Sequence, residues 1–541
     1  MTIHGGKLLV RALNEHGVKR VFCVAGESYL PVLDGFLDYP EIDVITCRQE
    51  GGVTFMAEAY GQLTGKVGIA LVTRGPGACN ASIGVHSALQ ASTPMVLLVG
   101  LHSMDDRDKE AFQEFDLPQM FGSIAKWAAV IDDATRIPEY IMRAFHVATS
   151  GRPGPVVLGL PEEVLNAQVE DVIIKPIVKS EISPSQTQIS QIVELISKAE
   201  RPIILAGGGD WSDQTCANLT EFSTLSGLPV VTSFRRQDVF DHNHKNYIGE
   251  LGTGPNPALV ELFKNADLIF VLNARLNEIS TQNYSIFNDG QTIIHVHPDA
   301  DVFGRSCVPD LAIQSHVSPL CNALLEQKID GTKWQNWCDD AHADYQKWTH
   351  IDVDSQPKRN GADMTSIYAK LQKLLPNDAI ITTDAGNFSG WAQRYLRYAR
   401  PGRLLAPISG AMGYSVPSAV AASIEFPDRL VLGICGDGGF MMNGQELATA
   451  MRYGAKPIIM VCNNERFGTI RMHQNMHFPD RVSATDLTNP NFVELAKSYG
   501  AFAVKVNEVH EFDAALADAI ASNRLALIEI TMDPEQITTR S

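Results

Sequence analysis

Short apolar runs alternate with amphipathic stretches along the whole chain. VKRVFCV, IDVITC, VGIALVT and PMVLLVG read as buried strands, with helical patterns such as GGVTFMAEAYGQLTG between them. The alternation returns in RPIILAGGG, LPVVTSF, DLIFVLN and QTIIHVH, and again in DAIITTD, RLVLGICGD, KPIIMVCNN and LALIEIT. Strands that are apolar throughout, interleaved with helices, predict parallel sheets covered on both faces. The fold class is therefore α/β, with three doubly wound parallel-sheet domains.

Polar segments divide the blocks. Residues 166–190 carry prolines and serines, and residues 328–363 are rich in charge and aromatics without strand alternation. Boundaries near 175 and 345 follow, giving an N-terminal domain over 1–175, a central one over 185–330 and a C-terminal one over 345–541. A chain of 541 residues, 45% hydrophobic and 20% charged, is too apolar for disorder and too long for a disulfide framework. Its formal charge of −18 disfavours a nucleic-acid partner, while leaving room for a local pocket that takes an anionic cofactor. The nine cysteines form no C-x-x-C and mostly sit in apolar runs, as reduced core thiols do. The N-terminus lacks a signal-peptide apolar region, and no run approaches the ~20 residues of a membrane span. A cytoplasmic chain with no membrane partner is expected.

The strongest chemical signal is RLVLGICGDGGFMMNGQELATAMRYGAKPIIMVCNNERFG. A strand ends at Gly436-Asp437-Gly438-Gly439. Asn443 is expected to cap the next helix with Glu446 as its capping-box partner, and Gly454 and Pro457 to stop it. Asn464 lies 27 residues after Asp437, the span of one strand–helix–strand crossover. Both side chains then reach the crevice beyond the carboxyl ends of parallel strands. A carboxylate, an amide oxygen and a nearby carbonyl make a hard oxygen set suited to Mg²⁺ shared with phosphate groups. A lone G-D-G is often only a turn; the strand context, the spacing and the paired asparagines set this one apart.

G-D-G followed at this distance by N-N resembles the binding motif of thiamine diphosphate (ThDP) enzymes, and nearly the whole chain resembles their acetolactate (acetohydroxyacid) synthase branch. The resemblance implies that Asp437, Asn464 and the carbonyl of Arg466 ligate Mg²⁺. It places Gly436, Gly438, Gly439 and the Gly386-Asn387-Phe388 turn around the diphosphate. Glu50, in CRQEGGVTF, is assigned to N1′ of the aminopyrimidine, where its proton promotes loss of the C2 proton; the protein mainly orients and tunes the cofactor. Gly75-Pro76-Gly77 with Asn80 matches the family's turn against the cofactor, although Arg74 stands where serine is common. Gly410-Ala411-Met412-Gly413 matches the segment whose glycine carbonyl holds the 4′-amino group. Met412 would prop the bent cofactor there, or serve as core filler. The stretch around Phe112 and Gln113, followed by Lys126, is similar to the loop that faces the reacting keto acid.

Elsewhere the match thins. The arginine that grips the acceptor carboxylate falls on Ile279, and the acceptor tryptophan falls on His473. The middle block resembles a domain that carries FAD in many relatives and ADP or nothing in others. Ala206-Gly207-Gly208-Gly209 and Gly249–Gly254 could approach a nucleotide, yet neither is a full fingerprint, and His297 replaces a usual aspartate. FAD and a vestigial domain both stay open. Asp241-His242-Asn243-His244 reads as a polar turn rather than a metal site.

The resemblance implies a ThDP- and Mg²⁺-dependent carboligase: a 2-keto acid loses CO₂ and the retained unit attacks a second carbonyl. A homodimer or homotetramer would place active sites at the subunit interface. Two alternatives remain: a simple 2-keto-acid decarboxylase or other ThDP-dependent lyase, and a catalytically silent ThDP-binding paralogue.

Overall fold

The computed structural model describes residues 2–173 and 175–540. The three blocks form three six-stranded sheets in which every pairing is parallel. In the N-terminal sheet the spatial order is Asp43–Thr46, Arg20–Cys23, Gly68–Val72, Met95–Leu101, Pro155–Pro161, Trp127–Val130. The C-terminal sheet runs Leu404–Leu405, Ile380–Thr383, Val431–Gly436, Ile458–Asn463, Ala526–Thr531, Phe502–Val506. Its strand order reverses between Ile380–Thr383 and Val431–Gly436, the place where open α/β sheets leave a crevice for ligands. The G-D-G turn sits at that switch point.

The N- and C-terminal domains share one core. The helix Glu50–Thr64 is buried from Gly51 through Gly61 and is apolar there except for Thr54, Tyr60 and a hydrogen-bonded Glu58, as a helix with packing partners all round must largely be. It lies against the helix Ser415–Glu425, and Phe55 meets Tyr414 edge to face at 5.3 Å. The central sheet, with Pro202–Ala206 beside Leu268–Leu272 at its own switch point, has separate cores. It is fastened to its neighbours by arginines. Arg236 donates to the carbonyl of Ala91, Arg275 to that of Gln90, and Arg235 to those of Pro407 and Asp384.

Two local expectations are corrected. The segment read as a polar linker begins with a strand: Gln168–Glu170 pairs antiparallel with Thr2–His4, because Val169 is buried against the N-terminal core. The helix after the G-D-G turn starts at Asp437 itself, so Asn443 ends that helix and caps nothing with its side chain. Its amide donates to the carbonyl of Gly413 at 2.8 Å. Glu446 turns to the N-terminal domain instead. Of the nine free cysteines, seven are buried, as thiols in apolar runs should be. Among the described residues no helix is long and apolar enough to cross a membrane.

One buried acid of the central domain makes a pH-dependent contribution. Glu250, in the strand Tyr247–Leu251, accepts from the backbone N–H of Arg235 (3.2 Å) and is hydrogen-bonded by the Gln393 amide. Burial pushes its carboxyl up to about 8, against an ordinary 4.5. Between those values the unfolded chain releases a proton that the native state keeps, so stability falls as pH rises, by at most ~1.4 kcal/mol per unit. Glu250→Gln removes that slope. The variant is expected to gain stability relative to the parent in urea melts as pH is raised from 5 to 8; a constant difference would contradict a neutral native Glu250.

Candidate active site

At the switch point the chain turns from strand to helix at Asp437. Its carboxylate accepts from the backbone N–H of Gly438 (2.9 Å) and from Asn489 Nδ2 (2.8 Å), neutral donors that leave its charge uncompensated. Burial pushes the carboxyl above its ordinary range. After the neighbouring strand, Glu465 takes a positive φ of 53°, and Arg466 N–H donates to Asn464 Oδ1 (3.3 Å). This hook brings the Asn464 amide and the Arg466 backbone round to the same crevice as Asp437. Asn463, its sequence twin, instead donates to Glu529 Oε1 (2.9 Å) and accepts from Asn489 (3.0 Å). Asn489 was not singled out from the sequence, since nothing in TDLTNPN marks it.

Asp437, Asn464 and Arg466 line a cavity of about 260 Å³ together with Gly386–Phe388, Gly410, Met412, Gly436, Gly438 and Gly439. The first turn of the helix Gly468–His477 also borders it, and Thr469 Oγ1 accepts from the Asn387 N–H (2.9 Å). Every residue of this lining falls between 385 and 537.

Beneath the cavity lies Asp384, which the sequence reading passed over although an acid closing the run DAIITTD was the available signal. It is fully buried, and its two oxygens accept the N–H groups of Gly413 (3.0 Å) and Ser415 (2.6 Å). A Cβ at Gly439 would fall 2.2 Å from Asp384 Oδ2, so only glycine fits there. Burial raises the Asp384 carboxyl to about 6, while its backbone donors pull the other way. The carboxylate thus fixes the turn that presents Gly410 and Met412.

The N-terminal domain assembles a second group. Glu50 opens its helix and accepts from Asn80 Nδ2 (2.9 Å), and a Cβ at Gly77 would lie 3.5 Å from Glu50 Oε1. Gly75 holds φ +54° with the backbone of Gln113 against it, so the loop carrying Phe112 and Gln113 folds onto the Gly75-Pro76-Gly77 turn. Phe112 itself is 72% exposed. Arg74 is explained by its partners: it is ion-paired to Glu27 (3.1 Å) and to Glu162. Lys126, expected to face the substrate, has its ammonium engaged within its own domain in the single chain. Its ammonium donates to the carbonyls of Val147 (at close range) and Ser150 (2.7 Å), at the end of the helix Ile137–Thr149. Burial lowers its pKa to about 8.

A larger cavity, about 670 Å³, adjoins the first and shares Ala385–Asn387, Gly410 and Thr469 with it. Ile279 and His473 both line it. The central glycine turn is accounted for by the protein's own packing. A Cβ at Gly207 would meet Ser233 Oγ at 1.9 Å, and Asn273 Nδ2 donates to the Gly209 carbonyl. His297 accepts from the N–H of Asp299 (3.0 Å). Of the glycine runs expected to approach a nucleotide, Gly249 and Gly254 line the 670 Å³ cavity, and Gly208 and Gly209 line a separate one of about 560 Å³.

The C-terminal cavity does fit ThDP with Mg²⁺. A buried carboxylate without a charged partner and an amide line it beside Arg466, oxygen groups of the hard kind that the ion prefers. The starts of two helices supply N–H groups for an anion, and Met412, Phe388, Phe467 and Ile470 offer apolar wall. Among the described residues no three His, Cys, Asp or Glu side chains cluster as a metal site.

Comparison with known proteins agrees. The model for the N-terminal TPP binding domain of thiamine pyrophosphate enzymes matches residues 3–120, the central-domain model 189–324 and the C-terminal TPP binding domain model 384–530. The acetolactate synthase isozyme 2 large subunit of Escherichia coli K12 is 29% identical over 538 residues, covering 98% of this chain and 96% of its own. A probable acetolactate synthase large subunit of Methanocaldococcus jannaschii is 30% identical over 549 residues, covering 98% and 92%. With all three domains matched in order and relatives aligned end to end, the chain belongs to the thiamine pyrophosphate-dependent enzymes of the acetolactate synthase type.

Proposed function

We propose that the protein is a ThDP- and Mg²⁺-dependent carboligase that decarboxylates a 2-keto acid and joins the retained unit to a second carbonyl. The observation that carries this reading is that Asp437, Asn464 and Arg466 line one cavity beside the Gly436–Gly439 turn. ThDP held there would supply a nucleophilic carbon and an electron sink for loss of CO₂ from a 2-keto acid. Asp437, Asn464 and the Arg466 carbonyl hold the metal. The backbone of Gly386–Phe388 and Gly436–Gly439 binds the diphosphate, and Gly410 and Met412 set the position of the ring. Glu50, oriented by Asn80, holds a proton at the pyrimidine.

The functional unit is taken as at least a dimer, as the family resemblance implies; within one chain Glu50 does not line the cavity, whose lining falls between 385 and 537. Exposed Ile83, Phe112, Met441 and Met442 provide apolar surface for a second copy that brings the two groups together. Phe112 and Gln113 then face the substrate; Lys126, spent on a helix end, does not. A second reading, decarboxylation with release of an aldehyde, is favoured by Ile279, which puts apolar wall in place of a guanidinium that would grip an acceptor carboxylate. The silent-paralogue reading is opposed by the intact Glu50, Asp437 and Asn464.

A panel of 2-keto acids supplied with ThDP and Mg²⁺, analysed for CO₂ and for carbon–carbon products, separates the readings. Hydroxy ketones support ligation, aldehyde alone supports the second reading, and no CO₂ from any acid defeats both. Asp437→Ala is expected to weaken ThDP binding at least about tenfold and to abolish its dependence on Mg²⁺ in calorimetry. Glu50→Ala is expected to lower turnover by ~10²–10⁴, the usual worth of a general acid–base group, while leaving ThDP–Mg²⁺ affinity largely intact. An unimpaired Glu50→Ala enzyme would remove Glu50 from the mechanism.

A further inference from the structure

Glu446 is fully buried in the C-terminal domain, yet its bonds lead to the N-terminal one. Its Oε1 accepts the backbone N–H groups of Arg48 (3.0 Å) and Gln49 (3.0 Å), the two residues that lead into Glu50. Its Oε2 is held by the hydroxyl of Thr449 at 2.5 Å. The approach is tight: a Cβ at Gly52 would fall 2.7 Å from Glu446 Oε1. Nearby, Tyr453 accepts from Thr46 N–H (2.7 Å) and donates to the Val44 carbonyl (3.0 Å), clamping the strand that feeds the same helix. Further along it, Glu58 is bonded by Tyr414 and by Thr93 (2.9 Å). The start of the Glu50 helix is therefore not set by its own domain alone.

We infer that Glu446 is a positioning residue for Glu50: across the domain seam it fixes the main chain at Arg48 and Gln49, so that the Glu50 carboxyl is presented at one angle and depth. A buried carboxylate that accepts N–H groups ahead of a helix has charge-assisted bonds and a favourable dipole, and tolerates little displacement. Glu446 follows directly on the helix that begins at Asp437, so in the proposed dimer a segment bordering one copy's diphosphate cavity also braces the acid that this copy lends to its partner's site. The inference rests on the reading of Glu50 given above.

The test uses the full chain with Glu446→Ala, Glu446→Asp, Glu446→Gln and Glu50→Gln. Two readouts precede turnover: amide hydrogen exchange of the peptide covering 44–52 in cofactor-free protein, and the rate at which bound ThDP exchanges its C2 hydrogen with solvent. Glu446→Ala and Glu446→Asp are expected to speed amide exchange in that peptide. They should also slow C2 exchange per loaded site, on the order of 100-fold for a catalytic group displaced by ~1 Å, with ThDP affinity in Mg²⁺ little changed. Glu446→Gln keeps an oxygen for the two N–H groups and should restore most of the rate. A purely structural Glu446 would lower the melting temperature and leave C2 exchange per loaded site untouched; that result overturns the inference. If Glu446→Ala does not fold, the contrast between Asp and Gln decides, and equal wild-type rates in both overturn it. Wild-type C2 exchange in Glu50→Gln would defeat the reading of Glu50 instead, whatever Glu446 does.

Discussion

The geometry of the C-terminal site depends on a carboxylate that has no water to turn to. Asp384 closes the strand Ile380–Thr383 inside the protein, and a buried charge of this kind is tolerated only when hydrogen bonds surround it. Those bonds come from the main chain of Gly413 and Ser415, so the acid dictates the path of a turn that has no regular structure of its own. Gly439 is drawn in to van der Waals limits from the other side, and the central domain reaches the Asp384 carbonyl through Arg235. Two walls of the cavity and a third domain thus share one fixed point.

The sheets were legible because parallel strands buried on both faces are apolar at every position, and this chain repeats that signal three times. The switch point was legible too, since Asp437 and Asn464 end adjacent strands at a spacing that only a crossover explains. What the sequence could not reveal were partners distant along the chain. Asn443 and Glu446 match a capping box as letters, but Glu446 finds its N–H groups almost 400 residues away, and the helix starts seven residues earlier than a cap at Asn443 requires. Lys126 was assigned by its position in a loop, while the nearest unsatisfied carbonyls, at a helix end, settled where its ammonium went. Arg74 looked like an unexplained departure until folding brought Glu27 and Glu162 to it.

The two halves of the candidate site differ in how they are built. Around Asp437 and Asn464 the polar groups sit on strand ends and helix starts, and small residues let backbone close in. Around Glu50 the helix is buried almost throughout, so its direction is set by packing, and only its first turn remains free to be adjusted by hydrogen bonds. Rigid burial of the shaft with a trimmed tip is one way to hold a single carboxyl steady at a domain surface.

The arginines that fasten the central domain choose main-chain oxygens: those of Ala91, Gln90, Pro407 and Asp384. A carbonyl is present whatever side chain the position carries, so the receiving surfaces can mutate freely while the joint persists. Such one-sided dependence lets three modules keep their mutual arrangement while most of the residues between them drift, in keeping with relatives that align over their whole length at less than a third identity.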